Sequence, residues 1–283
     1  MQQRITNYEP FYFDSLQKGV DFAAAHTLAL GFDSVELLAT SPIIPFTEKE
    51  LKRALSANGL PVTCFSVGLN LYAETESERR AAEATLCGFA ETAALLGSPI
   101  LHHTLLTPVA LWEGAPDFSA VLSPVLDSAE RVARHCEALG LACIYEPQGM
   151  FFNGEGFSLF FDEMKKRAAN VGICGDVGNP LFVDADPNAL FAKHAADIKH
   201  EHLKNYRIAD EPFKTGKCYP SRAGRYLQNA QLSEGALDLA AILAPLGKAG
   251  YRGAFALEAS GEDAAVLRDI ACARSLLSAF DKK

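Results

Sequence analysis

Two rhythms of hydrophobic and polar positions alternate along the chain. Stretches with apolar residues at i, i+3 and i+4 predict amphipathic helices over 78–96, 121–139 and 263–280. Helical stretches end at glycine or asparagine, and a short β-rich run follows. Six such junctions read ALGFDSVELLA, ANGLPVTCFSV, LLGSPILHHTLL, ALGLACIYEP, RAANVGICGDVGN and KAGYRGAFALEA. Gly31, Gly59, Gly97, Gly140 and Gly250 fit the left-handed position that closes a helix, and Asn170 can serve in the same way. Thr47-Glu48-Lys49-Glu50 reads as a capping box ahead of LKRALSANG. The opening RITNYEPFYF and the run IKHEHLKN supply two further strands. Eight strands alternating with helices predict a parallel sheet closed into a (β/α)8 TIM barrel, an α/β fold spanning 1–283 as a single domain. An open doubly wound sheet is the runner-up. It is weakened because no GxGxxG or GxxxxGK[ST] follows any strand.

Active sites of such barrels lie at the C-terminal ends of the strands. The runs place Glu36, His102, His103, Glu146, Asp176, Asn179, His202, Lys204 and Glu258 at or near those ends. Strand parity sharpens the choice. Glu258 shares a face with Ala254 and Ala256, Asp176 with Gly172 and Cys174, and Glu146 with Ala142 and Ile144. Small neighbours suit a crowded barrel interior, where a carboxylate is costly unless it is paired or bound to a cation. Glu146, Asp176, Glu258 and His202 therefore converge as a mostly oxygen-ligand divalent metal site. It suits Mn²⁺, Mg²⁺ or Co²⁺ first, with Zn²⁺ as the alternative. In IKHEHLKN the alternation aligns His200, His202 and Lys204 on the site face, with His200 a hydrogen-bonded interior residue. It also sends Lys199 and Glu201 toward the helix layer, where apolar residues belong. Either a bulge shifts the parity or these side chains reach solvent or pair locally.

Composition changes the picture little. The chain is 49% hydrophobic, enough for a large core, and its net charge of -9 argues against nucleic acid as a main partner. There is no apolar run long enough to span a membrane and no signal-like N-terminal segment. The seven cysteines lack CxxC spacing and read as buried reduced thiols, so a cytoplasmic location is expected.

The chain resembles the xylose isomerase-like TIM-barrel family of sugar isomerases and epimerases, from GFDSVELL to GAFALEAS. Its most specific stretch is QLSEGALDLAAILAPLGKAGYRGAFALEAS. HLKN is similar to the family's His-x-Lys-Asp with Asn205 replacing the acid, GDVGNP to its Asp-x-Gly-Asn variant, and LGSPILHHT to its fourth strand. The resemblance implies metal ligands Glu146, Asp176, His202 and Glu258. It also implies that Glu146 and Glu258 act as an acid/base pair on a ketose, sugar phosphate or sugar acid, through a metal-stabilised enediolate. A homo-oligomer, dimer or tetramer, goes with it. The sequence departs from the ketose epimerases at Asn179, where a histidine is usual, and at Ile208, where an arginine is usual, with Arg207 one position early.

Lys204, Asn179, His102, His103, Trp112, Arg207 and Glu36 are the expected substrate contacts, Glu36 alternatively supporting a ligand from behind. Trp112 either stacks on a sugar or pins its loop. The cation-bearing segment from Asn205 to Gln231 is either a lid or a solvated excursion. Competing functions are an inositol- or keto-acid-type lyase or dehydratase using the same site, a non-catalytic binding barrel, and an endonuclease IV-like repair enzyme. The last fits poorly with seven histidines, several on helices, in an acidic chain.

Overall fold

A computed structural model of the protein describes residues 4–39, 46–107, 117–258 and 261–278. Eight parallel strands close into a barrel. They are β1 (Ile5–Asn7), β2 (Ser34–Ala39), β3 (Val62–Val67), β4 (Ile100–His103), β5 (Ala142–Tyr145), β6 (Val171–Asp176), β7 (Ile198–Leu203) and, last in the chain, β11 (Phe255–Leu257). Around the barrel the order is β1-β11-β7-β6-β5-β4-β3-β2. Helices α1 (Glu9–Lys18) to α9 (Asp263–Leu277) form the outer layer. The predicted capping box is present: Thr47 Oγ1 accepts from the Glu50 amide and Glu50 caps the Thr47 amide in return. The junction glycines take positive φ, Gly31 at 87° and Gly250 at 75°. Asn170 does not. Its side-chain amide instead donates to the carbonyls of Ala133 and Leu141, tying α5 (Phe118–Ala138) to β5 and β6.

The main core lies between sheet and helices. Phe65, Leu101, Tyr145, Ile173, Leu203, Phe255 and Leu257 point outward from the strands and meet helix residues such as Phe157 and Phe160. The barrel interior is built differently. Cys64, Ile100, Ile144 and Cys174 form a small apolar plug, with polar side chains above and below it. That leaves room at both mouths of the barrel.

Between β7 and β11 the chain departs from the βα rhythm. Residues 205–230 contain a three-stranded antiparallel sheet in the order β8 (Asn205–Ala209), β10 (Tyr226–Ala230) and β9 (Tyr219–Pro220). Expected as a lid or loose excursion, this segment is a folded unit with its own cluster of Phe182, Tyr206 and Leu227.

The conflict in IKHEHLKN resolves as a bulge. Ile173 pairs with Ile198, but Cys174 pairs with His200, so Lys199 is the extra residue. Ile198 packs outward in the core. Lys199 turns inward, its stem lying over Gly172, where an added Cβ would sit 2.6 Å from Lys199 Cδ. From His200 onward the expected parity holds. Glu201 alone faces the helix layer: neither of its oxygens has a hydrogen-bond partner among the described residues, and burial raises its pKa.

Candidate metal centre

The C-terminal ends of β5, β6, β7 and β11 bring four side chains together. One donor atom each from Glu146, Asp176, His202 and Glu258 lie within 4.8 Å of one another. Each is placed by its strand end. Asp176 Oδ1 accepts from the amides of Gly178, at 2.8 Å, and Asn179, at 2.6 Å, which fixes the carboxylate and leaves Oδ2 to face the cluster, where Lys204 Nζ meets it. His202 Nδ1 lies 3.0 Å from Glu146 Oε1 and 3.1 Å from Glu258 Oε1. The donor set of three carboxylates and one imidazole matches a hard or borderline divalent cation.

Glu36 holds His202 from behind. It is fully buried, and its Oε1 lies 3.0 Å from His202 Nε2 while Oε2 lies 2.6 Å from His200 Nε2. Ser66 donates to the same carboxylate and also meets His102 Nδ1 at 2.9 Å. Burial pushes the Glu36 carboxyl up, but His202 and His200 outweigh this and hold it well below the usual range. A carboxylate on Nε2 keeps a proton there, so that Nδ1 is the nitrogen whose lone pair is offered to an ion once its own proton is displaced. Tyr8, the residue after β1, stacks on the His202 ring at 4.9 Å. Glu36 is therefore a positioning residue, and the alternative of a substrate contact is corrected by its depth.

Lys204 occupies the electrostatic centre. Its Nζ is 2.6 Å from Glu258 Oε2, 2.8 Å from Asp176 Oδ2 and 3.2 Å from Asn179 Oδ1. Burial pushes the Glu258 carboxyl up, yet Lys204 and His202 hold it down at about 2. Glu146 differs: burial dominates and pushes it up to about 8, despite His202 beside it. For His202, burial alone would lower the pKa; Cys174, Glu36 and Glu146 around it reverse the sign and raise it. Protonated His202 and Lys204 thus neutralise the acids where a divalent ion would otherwise do so. Glu9, at the start of α1, is raised to about 7 by burial and by Glu258. Tyr8, Glu9 and Ser66 were not among the expected site residues. The strand-end rule, applied also to the first and third runs, would have found them.

The other expected contacts divide. His102 faces inward, its Nε2 3.6 Å from Glu146 Oε2, and Asn179 has a buried Nδ2 without a partner beside Lys204. His103 does not reach the site. Parity turns it outward, where its ring packs edge-on against Tyr145 and Nδ1 meets the Thr104 carbonyl, so a substrate contact there is corrected. Arg207 is exposed on β8 and pairs with Glu234. Trp112 lies outside the described residues. Two other clusters, His102–Cys174–His202 and Glu36–Cys64–His200, are poorer cation sites: burial raises both thiols, and the Glu36 and His200 donors already hold each other.

Residues 22–276 match the model of the xylose isomerase-like TIM barrel. The chain belongs to this family. Among solved structures, a xylose isomerase-like TIM-barrel protein from Mycobacterium smegmatis in complex with magnesium has a TM-score of 0.75 at 17% identity, covering 98% of this chain and 97% of that one. D-allulose 3-epimerase from Methylomonas sp. has a TM-score of 0.76 at 15% identity, covering 97% and 98%. The IolI protein with a bound zinc atom gives 0.76 at 15%, covering 99% and 100%. At these identities the likeness shows the shared barrel. No curated protein matches the chain. Among the described residues, no helix is long and apolar enough to cross a membrane.

Proposed function

We propose that this xylose isomerase-like barrel is a divalent-metal-dependent isomerase or epimerase. It would act on a ketose, sugar phosphate or sugar acid by proton transfer at a carbon next to a carbonyl. The observation that carries this reading is the convergence of Glu146, Asp176, His202 and Glu258 within 4.8 Å at the mouth of the barrel. A bound divalent ion, held by these four, would polarise the substrate's carbonyl and hydroxyl oxygens and stabilise the negative charge that develops on them. Glu146 and Glu258 stand on different strands, β5 side and β11 side, so one can take a proton from a face of the substrate opposite the other. His102 lies beside Glu146 Oε2 and can steady it in either protonation state. Lys204, pushed off Asp176 and Glu258 when their charge is taken up, is positioned to meet a substrate oxygen, and Asn179 Nδ2 offers a second donor. The family's epimerase members support the reaction class, and a D-allulose 3-epimerase is among the similar folds.

A dehydratase is the second reading. It would use the same four-ligand site, whose ion would equally acidify the proton next to a carbonyl and assist a departing hydroxyl. One experiment separates the two. The metal-loaded protein is incubated in D₂O with a panel of ketoses, sugar phosphates, keto acids and inositol derivatives, and products are read by NMR. Deuterium at a carbon next to a carbonyl, with the sugar skeleton intact, supports isomerisation or epimerisation. Loss of water supports the dehydratase. Metal-independent exchange, or no exchange with any of them, contradicts the proposal.

A further inference from the structure

The opposite mouth of the barrel carries a second polar cavity. About 250 Å³ in volume, it lies among the N-terminal ends of the strands, and Arg4, Thr63, Lys199, His200 and Arg252 line it. Two bulges build it. Lys199 is the extra residue of β7 against β6, and Thr63 is the extra residue of β3 against β2, where Val35 pairs with Val62 but Glu36 with Cys64. Each bulge adds a polar side chain to the cavity wall, as expected of a feature that re-aims side chains toward a site. Gly172 leaves the space that the Lys199 stem fills.

The charge of this cavity is uncompensated. Among the described residues, Arg4, Lys199 and Arg252 form no ion pair. The acids at this end are engaged elsewhere: Asp33 by Arg274 and the Ile5 amide, and Asp197 by Lys165. Burial pulls the Lys199 pKa down, as befits a cation short of counter-charge. His200, fully buried, gives its Nε2 to Glu36 and has Nδ1 buried without a partner. Three cations without ion pairs around one cavity, in a chain of net charge -9, call for an anion.

We propose that the N-terminal mouth of the barrel is a binding site for a phosphate group, held by Arg4, Lys199 and Arg252. The cations match its charge, and Arg donors suit its oxygens. Phosphate concentrates more charge on one compact group than a carboxylate does, which three cations around one cavity favour. The volume falls below that of drug-sized pockets, so the ligand is inorganic phosphate or a small phosphate monoester. This assignment is independent of the proposed reaction at the other mouth.

Calorimetric titration of the metal-free full chain with inorganic phosphate, glycerol 3-phosphate and malonate tests it. Inorganic phosphate is expected to bind at one site, more tightly at low salt, with malonate at least about tenfold weaker. Glycerol 3-phosphate binding more tightly than phosphate would assign the site to monoesters, and the reverse to the free ion. Arg252→Gln and Lys199→Met are each expected to weaken phosphate by about tenfold or more, the scale of one charge-assisted hydrogen bond. Arg53→Gln, at an exposed ion pair on α3 (Glu48–Ala57), should leave it unchanged. Arg252 is exposed, so its variant keeps the fold. The absence of saturable phosphate binding would overturn the assignment, and so would binding that Arg252→Gln and Lys199→Met leave intact.

Discussion

Glu36→Gln isolates the support behind the metal centre without touching any residue of the four-ligand set. The carboxylate is fully buried and receives Ser66, His200 and His202, with the nitrogens at 2.6 and 3.0 Å. An amide of the same shape has one acceptor oxygen and one NH₂. Two imidazole N–H donors then share a single oxygen, or one of them meets the amide's own donor. If His202 gives way, its proton moves to Nδ1 and the lone pair facing Glu146, Asp176 and Glu258 is lost. A hydrogen bond to a charged group contributes roughly 1.5–3 kcal/mol. Outer-shell partners of metal ligands typically account for about 10–100-fold in affinity. At about 1.4 kcal/mol per decade the two ranges agree. We therefore expect Glu36→Gln to bind Mn²⁺ about 10–100-fold more weakly by calorimetry near neutral pH, with an unchanged far-ultraviolet circular dichroism spectrum. Unaltered Mn²⁺ affinity in a folded variant would refute the reasoning that Glu36 sets the tautomer of His202.

Further outcomes follow from the charges around the site. Glu146, raised to about 8, carries a proton at neutral pH that a divalent ion must displace, as does His202. Metal affinity should therefore rise with pH, by about tenfold per unit for each proton displaced and so by at least about tenfold per unit below pH 8, with proton release measurable in buffers of different ionisation enthalpy. A flat profile from pH 6 to about 8 would contradict this. Lys204→Met removes the cation that bridges Asp176 and Glu258. Glu258 should then titrate above about 2, and Mn²⁺ should bind about tenfold more tightly, while turnover on the active substrate falls because an oxygen contact is lost. Weaker metal binding in this variant would show that Lys204 supports the ion instead of competing with it.

The barrel was legible in the sequence because two periods alternate along most of the chain and glycine marks the junctions. The site was legible for a related reason: an acid beside small same-face neighbours, as with Glu258 after Ala254 and Ala256, has few places to go except a barrel interior. Elements that depend on register were not. Nothing in IKHEHLKN says which residue is the extra one, so the inward turn of Lys199 and the outward Glu201 appear only when β6 and β7 are paired. His103 looked equivalent to His102 because a strand end gives no sign of which neighbour faces in. The sheet formed by β8, β9 and β10 hid behind a cation-rich composition that reads as solvated. Glu36 gave a signal, a carboxylate in an apolar run, but its role needs the histidines of β7, far along the chain, at 2.6 and 3.0 Å.

The central claim is that Glu146, Asp176, His202 and Glu258 hold one divalent ion. A crystal grown with Mn²⁺ and measured near the manganese absorption edge tests this most directly. A single anomalous peak is expected among the four side chains, with Lys204 withdrawn from Asp176 and Glu258. An empty cluster at saturating Mn²⁺, with Lys204 still bridging the two carboxylates, would contradict it.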